Sequence, residues 1–99
     1  MINHVVLFKL KEFSAHERIS AAHEIKELLE SLKNEIPELV HIEAGINYEL
    51  PSKSYDIALI SHFKSVSDLD RYRVHPAHVK VAERIGQLVE ARSAVDYEF

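Results

Sequence analysis

The stretch Ile2-Asn-His-Val-Val-Leu-Phe-Lys-Leu10 decides the fold of this chain. Its β-branched and aromatic residues are typical of a β-strand. Alternation along the strand separates two sets of side chains: His4, Val6, Phe8 and Leu10 on one face, and Val5, Leu7 and Lys9 on the other. Because both sets are largely apolar, we expect both faces of the sheet that contains this strand to be covered.

An amphipathic helix is predicted after this strand. Ser14 and Glu17 have the spacing of a capping box, with Ser14 as N-cap and Glu17 at the third helical position. The helix is expected to run for about five turns and to end before Pro37. Its apolar residues recur at spacings of three and four, and they are Ile19, Ala22, Ile25, Leu29, Leu32 and Ile36.

Three further strands are predicted from apolar and β-branched runs. They cover residues 39–47, 55–63 and 93–99, and the first two are separated by a polar loop over residues 47–54. Gly45 interrupts the first of these runs, which indicates a β-bulge or a close backbone approach.

Two helices are predicted between the third and fourth strands. Ser65 and Asp68 form a second capping box that opens a short helix through Tyr72. The buried side of this helix is predicted to carry Val66, Leu69 and Tyr72. Pro76 begins the last helix, which is expected to reach about Ala91, with His75 as its N-cap.

The element order β-α-β-β-α-α-β predicts one α+β domain over residues 1–99 with a ferredoxin-like fold. Such a protomer has a four-stranded antiparallel sheet with helices packed on one face. The opposite face would then expose an apolar patch of the size found at interfaces. We therefore expect a homodimer in which two sheet faces pack together, the alternative being a monomer with an open, partly apolar sheet.

Composition excludes several classes of function. The 99 residues include 16 acidic residues against 12 Lys plus Arg, a formal charge of −4, and the basic residues are scattered. No nucleic-acid partner is expected, since phosphate binding requires a concentrated basic face. The chain has no cysteine, which excludes disulfides, thiolate catalysis and Cys-type zinc sites. Without a signal-like N-terminus or an apolar run near ~20 residues, we expect a cytoplasmic protein with no membrane partner.

His78 is the first candidate for chemistry. On a helical projection of the last helix it lies at the centre of an apolar arc, and the charged residues lie on the opposite side. The apolar arc contains Val81, Ala82, Ile85, Leu88 and Val89. Burial and the positive helix end both disfavour the protonated ring, so His78 is predicted to stay neutral, as a general base must. The alternative is a core histidine bonded to a backbone carbonyl.

Tyr72 and His4 are the further candidates. Tyr72 and His78 bracket the turn at Pro76, so the tyrosine hydroxyl can orient a base or donate a hydrogen bond to a developing oxyanion. The alternative for Tyr72 is a core tyrosine with its hydroxyl at the rim. His4 alternates onto the face of Val6 and Phe8 and lines the same cavity if that face meets the helices. The mid-helix Gly86 either leaves room for a ligand or permits close packing of helix and sheet.

Metal binding is a minor alternative, because the chain has seven histidines. His75 and His78 are three residues apart and His4 can approach them, but no multi-ligand motif is present. No metal and no cofactor are therefore expected. The predicted ligand-binding residues, around a small organic molecule, are His4, Val6, Phe8, Ile57, Leu59, Ala82 and Ile85.

The chain resembles the stress-responsive α/β-barrel family, a branch of the dimeric α/β-barrel superfamily. The segments that carry the resemblance span nearly the whole chain, and the H-P-x-H element after a tyrosine is the most specific of them. These segments are His4–Lys11, Ile36–Pro37, Tyr55–Asp56, Tyr72–His78 and Val95–Tyr97. The resemblance implies a ferredoxin-like protomer and a dimer whose two sheets form a barrel.

The resemblance also implies a chemistry. A plant relative is a polyketide cyclase that performs an aldol condensation without a cofactor, and its base, tyrosine and one pocket histidine correspond to His78, Tyr72 and His4. A second pocket histidine of that cyclase corresponds to Ile57, which puts polyketide cyclisation in doubt. The leading hypothesis is cofactor-free acid/base chemistry of a cyclase or isomerase type, with His78 as base and Tyr72 as hydrogen-bond donor. The alternatives are a non-catalytic stress-response or interaction protein and a cofactor-independent monooxygenase.

Overall fold

The computed structural model describes residues 1–49 and 54–99 of the chain. The elements are β1 (Ile2–Leu10), α1 (Ala15–Ser31), β2 (His41–Ile46), β3 (Ile57–Phe63), α2 (Val66–Val74), α3 (Pro76–Leu88) and β4 (Val89–Glu98), with a short 3-10 helix (Leu32–Asn34) after α1. The four strands form one sheet in the order β2-β3-β1-β4, and every neighbouring pair is antiparallel. The predicted ferredoxin-like α+β fold is confirmed.

The helix starts follow the capping signals in the sequence. The Ser14 hydroxyl accepts a hydrogen bond from the Glu17 amide at 3.2 Å, and the Glu17 carboxylate accepts one from the Ser14 amide at 3.3 Å. The Ser65 hydroxyl accepts from the Asp68 amide at 3.1 Å. These bonds satisfy backbone donors that the first turn of a helix leaves without partners.

Several predicted boundaries were wrong by a few residues. β2 and β3 are shorter than expected, and α3 ends at Leu88 rather than near Ala91, because β4 already begins at Val89. Val89 pairs with Leu10 of β1, so the backbone of the last predicted helical turn is used in the sheet instead. Of the loop predicted over residues 47–54, residues 50–53 lie outside the described part of the chain.

The prediction for Gly45 was also wrong. The pairing of β2 with β3 runs without a shift from His41 opposite His62 to Ile46 opposite Ile57. No atom lies within 4 Å of a Cβ placed on Gly45, so there is no close approach either. The register shift of the sheet lies between Lys9 and Leu10, where β1 pairs with β4.

The core lies between the helices and one face of the sheet. Val6, Phe8 and Leu10 of β1 are buried there. The opposite face of β1 is more open, with Val5 half-buried and Leu7 exposed. The buried residues contributed by the other elements include Ala22, Ile25, Leu29, Leu59, Phe63, Leu69, Tyr72, Val81, Ile85 and Leu88. Within one chain, therefore, the helices cover only one of the two apolar faces.

Two residues expected in the core are exposed. Ile19 of α1 is 51% exposed and Val66 of α2 is 58% exposed. Both lie near the N-terminal ends of their helices, and the buried residues begin only at Ala21 in α1 and at Leu69 in α2. The predicted helical period is correct, but the N-terminal ends of both helices extend beyond the core, so the apolar side chains there are not covered.

Side chains of α1 satisfy the outer backbone groups of the edge strand β2. The Lys26 ammonium donates to the Ala44 carbonyl oxygen at 2.6 Å, and the Glu30 carboxylate accepts from the Ala44 amide at 3.1 Å. Lys26 and Glu30 also pair with each other at 2.8 Å. This arrangement protects one edge of the sheet from pairing with another strand. In the part of the chain that the structure describes, no helix combines the length and the apolar character that crossing a membrane requires.

Candidate functional site

A cavity of about 170 Å³ opens between α3 and the helix-facing side of the sheet. The predicted residues that line it are His4, Val6, Phe8, Leu59, His78, Ala82 and Ile85. Ile57 was also predicted to line a ligand site, but it does not reach this cavity. Its side chain is buried, 2% exposed, and borders a separate depression together with Ile46 and Ala58. The topology therefore brings most of the proposed residues to one place.

Sequence reasoning missed part of the cavity wall. The residues missed are Leu29, Val81, Val89 and Arg92, whereas Gly86, which also lines the cavity, had been considered as a residue that leaves room for a ligand. Val81 and Val89 lie on the apolar arc of the projection but were not distinguished there from ordinary core residues. Arg92 lay outside both predicted elements, between a helix expected to reach about Ala91 and a strand over residues 93–99. The early start of β4 moves it onto the sheet, opposite Phe8.

His78 occupies the third position of α3, where Pro76 is the first. Its Nδ1 atom lies 3.0 Å from the carbonyl oxygen of Arg73. A carbonyl oxygen only accepts, so Nδ1 carries the proton and Nε2 of the neutral ring is an acceptor. Burial lowers the pKa of His78; the hydrogen bond to Arg73 opposes this, while the positive charges of His4, Arg92 and Arg73 lower it further. These features keep the ring neutral and basic at Nε2.

Tyr72 lies behind the cavity wall rather than on it. Its ring centroid is 4.4 Å from that of His78 and 6.3 Å from that of His4, and the side chain is fully buried. Burial raises the pKa of Tyr72 to about 12, so the phenol keeps its proton at neutral pH. The hydroxyl has no hydrogen-bond partner among the described residues. It is a buried donor placed next to the two histidines of the cavity.

His4 belongs to a chain of charged groups at the sheet. Its Nδ1 atom bonds to the carboxylate of Asp96, whose other oxygen accepts from the Arg73 guanidinium at 2.8 Å. Burial of Asp96 opposes its ionisation, but the hydrogen bond and charge of His4 and those of Arg73 lower the pKa of Asp96 below its usual value. The carboxylate therefore accepts a hydrogen bond from the N–H at Nδ1 of His4 and fixes the orientation of that ring.

Asp96 was not identified from the sequence. It faces His4 only because the two residues are directly opposite in the register of β1 and β4. Alternation along β4 gives the face of Asp96, but the sequence does not give the register between strands that are distant in the chain.

His75 has the capping role predicted for it. Its Nδ1 atom accepts a hydrogen bond from the Ala77 amide at 3.1 Å, as expected of an N-cap. The ring is used for this cap and does not line the cavity. In residues 1–49 and 54–99, no three His, Cys, Asp or Glu side chains are placed to hold a metal ion together.

Gly86 provides room rather than close packing. A Cβ atom built on it has no neighbour within 4 Å, and the residue lies on the cavity wall. Of the two interpretations of this mid-helix glycine, the free space supports the one that leaves room for a ligand.

Comparison with known proteins gives both distant and near relatives. A dimeric protein of unknown function with a ferredoxin-like fold from Bacteroides fragilis superposes with a TM-score of 0.90 at 35% identity, over 99% of this chain and 95% of that one. The hydroxynitrile lyase from Passiflora edulis superposes with a TM-score of 0.74 at 19% identity, over 97% and 90% of the two chains. At that low identity, the second likeness shows the fold alone.

Comparison of sequences identifies the family. The stress-response A/B barrel domain-containing protein DABB1 of Arabidopsis thaliana is 28% identical over 102 residues, covering 98% of this chain and 46% of that protein. The chain thus spans less than half the length of that relative. The family model described as Stress responsive A/B Barrel Domain matches residues 2–99. This chain belongs to the stress responsive A/B barrel domain family.

Proposed function

We propose that this protein binds a small organic molecule in the cavity beside α3 and transfers a proton to or from it without a cofactor. His78 is the base, and Tyr72 is the hydrogen-bond donor that supports it. The single observation that carries this proposal is the position of the His78 ring on the cavity wall, where the hydrogen bond from Nδ1 to the Arg73 carbonyl leaves Nε2 as a proton acceptor.

Two properties of His78 support its role as a base. A general base must be unprotonated near neutral pH and must reach its substrate. The pKa of His78 is lowered, chiefly by burial, and the ring is on the cavity wall. The hydrogen bond to Arg73 would also suit a histidine that only packs in the core, so the position on the cavity wall is what favours the base.

Tyr72 supplies a donor that forms no hydrogen bond with any residue in the described part of the chain. A buried hydroxyl without a partner costs about 1–3 kcal/mol, so its retention requires an explanation. A ligand oxygen or a bound water that reached the hydroxyl would satisfy it. In that arrangement Tyr72 would donate to the oxygen on which negative charge develops as His78 takes a proton.

The cavity limits the size of the ligand. An apolar cavity of ~150 Å³ holds benzene, and this one measures about 170 Å³. The ligand that fits is therefore about the size of one ring, or a chain of similar volume. A long polyketide would extend beyond this volume, and Ile57 stands where the cyclase has a histidine.

We further infer that the protein is a homodimer joined through its open sheet faces. The Bacteroides fragilis relative is dimeric. The open face carries Leu7 and Val95, which are 38% and 62% exposed, beside the half-buried Val5. Val5 and Val95 are direct neighbours across β1 and β4. Covering these apolar side chains with a second sheet is the arrangement that would remove them from water.

Proton transfer can be tested without knowing the natural substrate. Small carbonyl and phenolic compounds of one-ring size are screened for binding by thermal shift and calorimetry. Each compound that binds is then incubated with the protein in D₂O, and NMR follows exchange of the proton next to its carbonyl or hydroxyl group. We expect exchange with the wild-type protein and its loss in His78→Gln.

The outcomes separate this proposal from its alternative. His23→Gln, on the exposed side of α1, is the matched control and should leave exchange intact. Compounds that bind but never exchange would indicate a binding protein rather than an enzyme. If no compound of this size binds, the non-catalytic interaction protein becomes the better interpretation.

A further inference from the structure

The titratable side chains on the cavity wall are all basic. Its polar side chains are His4, His78 and Arg92, and among the described residues that line the cavity none is acidic. The other lining residues are apolar, apart from Gly86. Such a wall favours a ligand with an apolar body and one negative group.

Arg92 differs from the other four arginines of the chain. Each of those four forms an ion pair with a carboxylate: Arg18 with Asp56, Arg71 with Asp68, Arg73 with Asp70 and Asp96, and Arg84 with Glu24. Arg92 forms no ion pair and no side-chain hydrogen bond with any residue in the ranges 1–49 and 54–99. Its guanidinium is thus free to bind an anion.

Arg92 lies on the face of β4 that borders the cavity. It lies opposite Phe8 in the pairing of β1 with β4, as Asp96 lies opposite His4. Arg92, Ala94 and Asp96 therefore share the helix-facing side of β4. Of the acids on this side of β4, Asp96 is already engaged by His4 and Arg73, and Glu98 lies at the far end of the strand, opposite Ile2.

We infer that Arg92 binds the carboxylate of the ligand, so that the ligands of this cavity are small monocarboxylates with an apolar body of about one ring. The inference rests on the proposed function and specifies its substrate class. A guanidinium is suited to this task, since its planar donors match a carboxylate in a bidentate fashion. With its carboxylate bound to Arg92, such a ligand would place its apolar body among Val6, Leu59 and Ile85.

A carboxylate bound to Arg92 would also change the pKa of His78. The positive charge of Arg92 contributes to lowering the pKa of His78. A carboxylate bound to Arg92 offsets that charge and so raises the pKa of His78 in the complex. The imidazole would then be a stronger proton acceptor when the correct ligand is present than when the cavity is empty.

Benzoate and benzamide test the inference, since they have nearly the same shape and differ in charge. Calorimetry at low salt compares their dissociation constants for the wild-type protein, for Arg92→Gln and for Arg71→Gln. The last variant removes the same charge from the exposed side of α2. We expect the wild-type protein and Arg71→Gln to bind benzoate at least about tenfold more tightly than benzamide, and Arg92→Gln to lose this preference.

The failures are distinguishable. If both compounds bind equally well, or if the preference for benzoate survives in Arg92→Gln, the inference is overturned while a ligand-binding cavity stands. If neither compound binds, both the inference and the proposed cavity ligand are contradicted. If Arg92→Gln alters the sedimentation of the protein and leaves the preference intact, Arg92 belongs to a subunit interface and the inference is wrong.

Discussion

The ring of His78 is held by the carbonyl oxygen of Arg73, at 3.0 Å from Nδ1. Arg73 is in the last turn of α2 and His78 is in the first turn of α3, so this bond spans the junction of the two helices. The helix C-terminus provides a carbonyl that lacks an intrahelical donor, and the imidazole satisfies it. The junction thereby fixes both the tautomer and the direction of the base.

The first prediction concerns pH. Burial lowers the pKa of His78 from its ordinary value of 6.5. Between the lowered pKa and 6.5 the unfolded chain binds more protons at this residue than the folded one, so its contribution makes the free energy of unfolding fall as pH decreases through that window. NMR titration of the His78 ring should give a midpoint below 6.5, and the pH dependence of unfolding should weaken in His78→Gln. A midpoint at or above 6.5 would contradict the burial of the base.

The second prediction concerns the hydroxyl of Tyr72. Because this buried hydroxyl has no partner among the described residues, Tyr72→Phe should leave the free energy of unfolding unchanged or raise it by about 1 kcal/mol. Tyr72→Ala, which also removes the ring packed on Phe63 and His78, should lower it by about 3–5 kcal/mol. Urea denaturation at a fixed protein concentration measures both. A loss of more than ~1 kcal/mol in Tyr72→Phe would mean that the hydroxyl already has a partner, such as a buried water.

The third prediction separates Asp96 from Asp70, since both accept hydrogen bonds from Arg73. Asp96→Asn also weakens the bond to the buried His4, and we expect it to lower the free energy of unfolding by about 1 kcal/mol, allowing for partial exposure of the carboxylate. The more exposed Asp70→Asn should cost less than about 0.5 kcal/mol. Nitrogen-15 NMR of the His4 ring should show that only Asp96→Asn disturbs the proton at Nδ1. Equal effects of the two variants would rule out a special role for the His4–Asp96 pair.

The fourth prediction uses the free space beside Gly86. Gly86→Ala should raise the free energy of unfolding by up to about 1 kcal/mol, since alanine favours a helix and its Cβ meets no neighbour. Gly86→Leu places a larger side chain on the cavity wall and should abolish ligand binding while the protein stays folded. Circular dichroism and calorimetry with the compounds from the screen check the two parts. Unchanged binding in Gly86→Leu would mean that ligands bind elsewhere.

The fifth prediction concerns the dimer. Val95→Asp introduces a charge on the open sheet face, beside Val5, and we expect sedimentation to show a fall from a species of twice 11.4 kDa to one of 11.4 kDa. Ile19→Asp is the control, since Ile19 is similarly exposed but belongs to α1. A wild-type protein that sediments only as an 11.4 kDa species at micromolar concentration would refute the dimer, and dissociation by Ile19→Asp instead would place the interface on the helices.

Local signals in the sequence determined most of the fold. Three of these signals depend only on residues close together in the chain, and each appears in the structure as predicted. They are the alternation of residues 2–10, the capping box at Ser14 and Glu17, and the proline at position 76. The same local reasoning separated His75, which caps α3, from His78, which points to the cavity. The period of a helix or strand is enough to say which face a side chain occupies.

The tertiary structure decided what meets on those faces. Asp96 bonds to His4, and Arg92 reaches the cavity, because β4 begins at Val89 and pairs with β1 in one particular register. Ile57 was predicted at the site but lies in the core, and Gly45 forms no bulge. Register and packing arise from contacts between residues far apart in the chain, which no local pattern encodes. The sequence by itself therefore determined the elements and the direction of His78, while only the folded sheet determined the charged groups that surround it.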